Sequence, residues 1–165
     1  MKQFFLHSPG MILVVFMIGC SSQKLPDGMP KLYPLTLTIT QEGKPLPEAS
    51  VSMYSADGSS SWAPGGMTKA DGMLVVFTHG KYAGVPAGKY KVTVDCLVSD
   101  VPRPKEATME EIVEHGKKYP AYRIVPLQYT DRKTTPLEID VVKGTSRLSI
   151  DIPETVKIKL DSPPP

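Results

Sequence analysis

The chain has 165 residues, room for about one domain. Its 41% hydrophobic and 22% charged residues exclude an intrinsically disordered chain, and 19 basic against 17 acidic side chains leave no basic field for nucleic acid. Seventeen prolines and 13 glycines favour many short elements joined by turns, and two cysteines are too few for a disulfide scaffold.

Residues 1–19 read as a signal peptide. Lys2 gives a positive start, and Met11 to Ile18 (MILVVFMI) form an uninterrupted apolar core. That run is far short of the ~20 residues a bilayer-spanning helix needs, and it fits a signal h-region. Met17-Ile18-Gly19-Cys20 resembles the lipobox of bacterial lipoproteins. The resemblance implies a diacylglycerol thioether on Cys20, cleavage before it, and acylation of the new amino terminus. Each buried lipid CH₂ adds ~0.8 kcal/mol of anchoring, so such a protein stays on a membrane surface. Ser21 stands where Asp commonly retains diderm lipoproteins at the inner membrane, so the resemblance points to the outer membrane. Lipidation of Cys20 leaves Cys96 without an intramolecular partner.

Residues 20–32 then form the lipidated Cys and a polar tether containing Pro26, Gly28 and Pro30. The folded body is expected over 33–160, followed by a Pro-rich tail at 161–165. Within the body the two-residue period of strands recurs. Leu35, Leu37 and Ile39 alternate with Thr36, Thr38 and Thr40. Val51 and Met53 alternate with Ser50 and Ser52. Met73 to Phe77 is a short apolar run. Tyr90, Val92, Val94, Cys96 and Val98 alternate with polar residues, as do Leu137, Ile139 and Val141, and then Leu148, Ile150 and Ile152. Each strand has one dry and one wet face, and packing two sheets together buries the dry faces. Glu42 to Pro45, Ala70-Asp71-Gly72, Pro86-Ala87-Gly88 and Lys143-Gly144 supply the turns.

Residues 100–134 are too long for a simple loop and read as an insertion with a short helix. Thr108 and Glu111 form a capping box, Met109, Ile112 and Val113 share a face, and Gly116 is placed to end the helix. At about two turns it is expected to need packing against the sheets. Pro120 to Tyr129 reads as an extended return, with Pro126 at an edge or bulge.

Four pieces in order carry a family resemblance. Gly43 to Val51 (GKPLPEASV), Thr68 to Gly72 (TKADG), Val85 to Val92 (VPAGKYKV) and the stretch from Ile124 to Ile152 resemble transthyretin-like and carboxypeptidase-regulatory-like domains of short bacterial lipoproteins. The match covers residues 35–152. It implies an all-β fold, a seven-stranded Greek-key β-sandwich of prealbumin-like type, with no common activity. One enzymatic branch, the hydroxyisourate hydrolases, uses histidines, an arginine and a C-terminal Tyr-Arg-Gly-Ser. This chain ends Asp-Ser-Pro-Pro-Pro, and its Tyr122-Arg123 is followed by Ile124, a departure that argues against that activity.

No catalytic constellation, metal set or cofactor motif emerges. His79 and His115 have no metal-spaced partner, and Glu110, Glu111 and Glu114 read as a solvated helix face. Cys96 falls on the inward phase of its strand as a small apolar residue. Trp62, in a loop at the rim, is the foremost candidate binding residue, with Tyr119, Tyr122 and Tyr129 of the insertion beside it. The expected function is a non-catalytic, membrane-anchored envelope module that binds a protein or envelope polymer. The alternatives are an accessory subunit of an envelope or secretion complex, and carbohydrate binding through Trp62.

Overall fold

The computed structural model describes residues 24–58, 61–101 and 106–160. The signal peptide, Cys20 and the 161–165 tail lie outside the described residues. Among the described residues the chain is mostly short β-strands in several sheets, with one α-helix.

In order the strands are β1 (Leu32–Tyr33), β2 (Thr36–Gln41), β3 (Lys44–Pro45), β4 (Ser50–Ser55), β5 (Pro64–Met67), β6 (Met73–Val75), β7 (Phe77–Thr78), β8 (Tyr82–Ala83), β9 (Val85–Pro86), β10 (Gly88–Asp95) and β11 (Leu97–Ser99). Helix α1 (Met109–Lys118) follows, then β12 (Ala121–Arg123), a 3₁₀ turn (Leu127–Tyr129), β13 (Glu138–Val141), β14 (Arg147–Ile152) and β15 (Ile158–Lys159).

The largest sheet has six strands in the order β13-β10-β4-β5-β7-β8, all neighbours antiparallel. In the second, β2 lies between β14 on one side and β3 and β6 on the other. The β14–β2 pairing is parallel, from Arg147 opposite Thr36 to Ile152 opposite Gln41. Smaller sheets join β1 to β9 and β11 to β12 and β15. Alternation explains which faces turn inward: Leu35, Leu37 and Ile39 are buried, and the threonines between them are not. One apolar cluster draws on both large sheets, including Leu37 and Ile39 of β2, Val51 and Met53 of β4, Val92 and Val94 of β10, and Ile150 and Ile152 of β14.

Two strands change sheet at a single buried residue. Val76 separates β6, which pairs with β2, from β7, which pairs with β5. Cys96 separates β10 from β11, and its carbonyl accepts from the Ile124 amide at 3.1 Å. Glu42 and Gly43 both have positive φ, 49° and 74°, giving the tight turn that joins β2 to β3.

The 100–134 segment departs from expectation in three ways. The Thr108–Glu111 capping box forms, but the helix runs through Gly116 to Lys118 and ends at Tyr119. Gly116 keeps a negative φ, so nothing at that position forces a stop. The helix also buries no residue: Met109 is 77% exposed and Val113 is 45% exposed. Its support is local, from the cap, the acidic first turn, the basic last turn and the Glu114–Lys117 ion pair at 2.7 Å. The return does contain a strand, β12, but Pro126 (φ −58°) opens the 3₁₀ turn and marks no edge or bulge.

Candidate functional site

Three segments meet around a cleft of about 520 Å³: Ser55 to Asp57 at the end of β4, Ser61 and Trp62 before β5, and Pro86 to Tyr90 from the end of β9 into β10. Pro30 of the amino-terminal segment completes the wall. Pairing explains the convergence. β10 and β4 are antiparallel with Tyr90 opposite Ser55, so the first residues of one strand lie beside the last of the other. The Ala56 amide donates to the Lys89 carbonyl at 2.9 Å and extends that ladder into the loop.

Trp62 is half-buried and meets the His79 ring edge-on, with centroids 5.4 Å apart and planes at 68°. His79 holds a left-handed backbone (φ 53°) in the turn from β7 to β8, and its amide donates to the Ala63 carbonyl at 2.9 Å. The aromatic pair thus ties the rim loop to a second turn and fixes the indole in place. On the floor, the Tyr90 hydroxyl donates to the Pro86 carbonyl at 2.9 Å. Burial holds that phenol above its usual range, and the nearby Asp57 carboxylate pushes the same way. The Ser55 hydroxyl donates to Asp57. An indole, a carboxylate, an ammonium (Lys89) and small hydroxyls therefore share one concave surface. Such a surface suits stacking combined with hydrogen bonding.

The other three candidate aromatics lie elsewhere. Tyr119 caps α1, its ring tilted on His115 at 4.8 Å, with the Lys118 ammonium 5.2 Å from its centroid. Tyr122 sits in β12 with the Lys157 ammonium 5.7 Å from its ring centroid. Lys157 also lines a smaller groove of about 400 Å³ with Gln41, Val98, Ile124 and Glu154. Tyr129 is 8% exposed within the core, which removes its ring from any surface. Of the four, Trp62 alone lines the first cleft.

Asp57, Lys89 and Tyr90 were not legible as cleft residues. The Pro-Ala-Gly-Lys-Tyr run signals a turn and a strand, but only the β4–β10 register shows what stands opposite it. Cys96 is buried and free, its thiol within 3.5 Å of the Pro47 carbonyl. Burial, reinforced by Asp95 and Glu48, pushes that thiol up to about 11. Among the described residues no cluster of three His, Cys, Asp or Glu side chains is placed to hold a metal, and no helix is long and apolar enough to cross a membrane.

No protein-family model, curated protein or solved structure matches this chain.

Proposed function

We propose that this protein is a membrane-anchored, non-catalytic lipoprotein of the cell envelope, whose β-rich body binds a protein or an envelope polymer. The observation that carries the binding reading is the cleft at Trp62, where an indole fixed against His79 stands beside Asp57, Lys89 and Tyr90. Anchoring rests on the lipobox-like Met17-Ile18-Gly19-Cys20 and the apolar run before it. The fold is proposed to be a seven-stranded Greek-key sandwich with an insertion. Its support is the parallel β14–β2 pair, the β13-β10-β4-β5 order opposite, and the core shared between the two sheets. The mixed aromatic and polar lining favours a carbohydrate-containing polymer as the specific occupant.

The chain has one tryptophan, so its fluorescence reports on the cleft alone. Titrating the full chain in detergent with solubilised cell-wall glycan is expected to shift that emission. Retention of the chain by insoluble glycan is expected to fall at least about tenfold in Trp62→Ala, a loss of about 1.4 kcal/mol. Metabolic labelling with an alkyne fatty acid is expected to tag the protein and to fail in Cys20→Ser. Equal retention by Trp62→Ala sinks the cleft reading. Absence of label on the parent sinks the anchor.

A further inference from the structure

We infer that the free edge of β14 docks a second copy of this chain, strand to strand and antiparallel, about a two-fold axis through Ser149. This interaction surface lies outside the Trp62 cleft and does not rest on it.

The parallel ladder decides which backbone groups are free. The Thr36 amide donates to the Ser146 carbonyl at 2.9 Å, and the Glu42 amide donates to the Ile152 carbonyl at 3.2 Å. With Leu148 opposite Leu37 and Ile150 opposite Ile39, residues 146, 148, 150 and 152 turn their amides and carbonyls toward β2. The amides and carbonyls of Arg147, Ser149 and Asp151 therefore point away from it. Among the described residues β14 has no strand on that side. A six-residue edge of this kind is a template for another strand.

The side chains select the occupant. In an antiparallel pair centred on Ser149, Arg147 stands opposite Asp151 of the second copy, and Asp151 opposite its Arg147. Every outward amide and carbonyl of the two edges then finds a partner. Opposite charges on directly facing residues stabilise such a pair. Arg147, Ser149 and Asp151 are all exposed on one face, and Arg147 makes no ion pair among the described residues. Asp151 already accepts through Oδ1 from the Thr40 hydroxyl and the Gly43 amide. These bonds hold the carboxylate in place and leave Oδ2 for an arginine. On the opposite face the same register sets half-buried Leu148 against Ile150 of the second copy, closing the end of the core.

The other large sheet presents a contrasting edge at β13. Its exposed residues are Glu138 and Asp140, so self-pairing in any register faces carboxylate with carboxylate. Of these two edges, β14 is the one whose facing charges favour a second copy.

The test is sedimentation velocity of the full chain in detergent micelles, with the bound detergent accounted for. The parent is expected to sediment as two chains per particle. Arg147→Glu and Asp151→Lys are each expected to weaken self-association about tenfold or more, because each places like charges opposite at both ends of the pair. Mixing the two variants in equal amounts is expected to restore a two-chain particle with one of each, since both facing pairs are again opposite in charge. Ser149→Pro is the second route. Its lost amide points away from β2, so the monomer keeps its ladder while the intermolecular one is blocked. One chain per particle for the parent at every concentration overturns the inference. So does a two-chain parent that Arg147→Glu and Ser149→Pro leave unchanged.

Discussion

Arg123 grips Asp95 with two parallel hydrogen bonds, Nε to Oδ1 at 2.7 Å and Nη2 to Oδ2 at 2.9 Å. Asp95 is the last residue of β10 and Arg123 the last of β12, so this fork fastens the return of the insertion to the main sheet. Both side chains are partly shielded, and the Asp95 carboxylate raises the guanidinium further above its usual range.

Arg123→Lys keeps the charge and loses the planar fork. It is expected to cost about 1–2 kcal/mol in urea unfolding, and Arg123→Ala more. A double-mutant cycle with Asp95→Asn is expected to show coupling between the two sites. Additive effects within about 0.3 kcal/mol would remove the pair from the list of fastenings.

Gly65 is expected to be intolerant of alanine. A Cβ there would stand 2.5 Å from the Val51 carbonyl oxygen, a backbone atom in the middle of the β4–β5 ladder. Gly65→Ala therefore forces the strands apart and is expected to cost about 1–3 kcal/mol by chemical denaturation. Gly144→Ala is a useful comparison, because it meets no neighbour and suffers only from its φ of 99°.

The amino terminus of α1 is expected to loosen in acid. The Glu111 carboxylate accepts from the Thr108 amide at 2.7 Å, and this bond, with that from the Thr108 hydroxyl, holds Glu111 below its usual range. A lowered folded value means the stabilisation is present above the unfolded value of about 4.3, and it is lost as pH falls through the folded one. Protection of the Thr108 and Glu111 amides, taken relative to their intrinsic exchange rates at each pH, is expected to fall below pH ~4 while core amides of β10 stay protected. Glu111→Gln is expected to flatten that pH dependence.

Cys96 is expected to resist thiol reagents in the native state. In a Cys20→Ser background it is the remaining thiol. Its burial and its thiol raised to about 11 leave little thiolate at pH 8. Maleimide labelling is expected to be slow until denaturant unfolds the chain. Rapid labelling of the native chain would show that the β10–β11 junction opens without global unfolding.

Much of the β framework is legible in the sequence. The alternation in Thr36–Ile39, Ser50–Met53, Tyr90–Val94 and Leu148–Ile152 records which face each strand buries, because successive side chains point to opposite faces. β2, β4, β10, β13 and β14 form where that signal lies. The α1 cap was legible for a similar reason, since Thr108 and Glu111 satisfy each other within one turn.

What the sequence determined by itself was therefore local: the alternating strands, the tight turns at Glu42-Gly43 and Asp71-Gly72, the inward phase of Cys96, and the capped start of the helix. The tertiary structure decided the rest. Pro64–Met67 (PGGM) has neither alternation nor strand propensity, and it becomes β5 because β4 and β7 supply partners on both sides. Helix α1 carries an apolar stripe yet buries none of it, and Tyr129, which reads like its neighbours Tyr119 and Tyr122, is drawn into the core. The cleft at Trp62 exists because the β4–β10 register sets Ser55 beside Tyr90. Register, sheet order and docking depend on groups far apart in the chain, and a period-two pattern shows which face is dry without showing what will cover it.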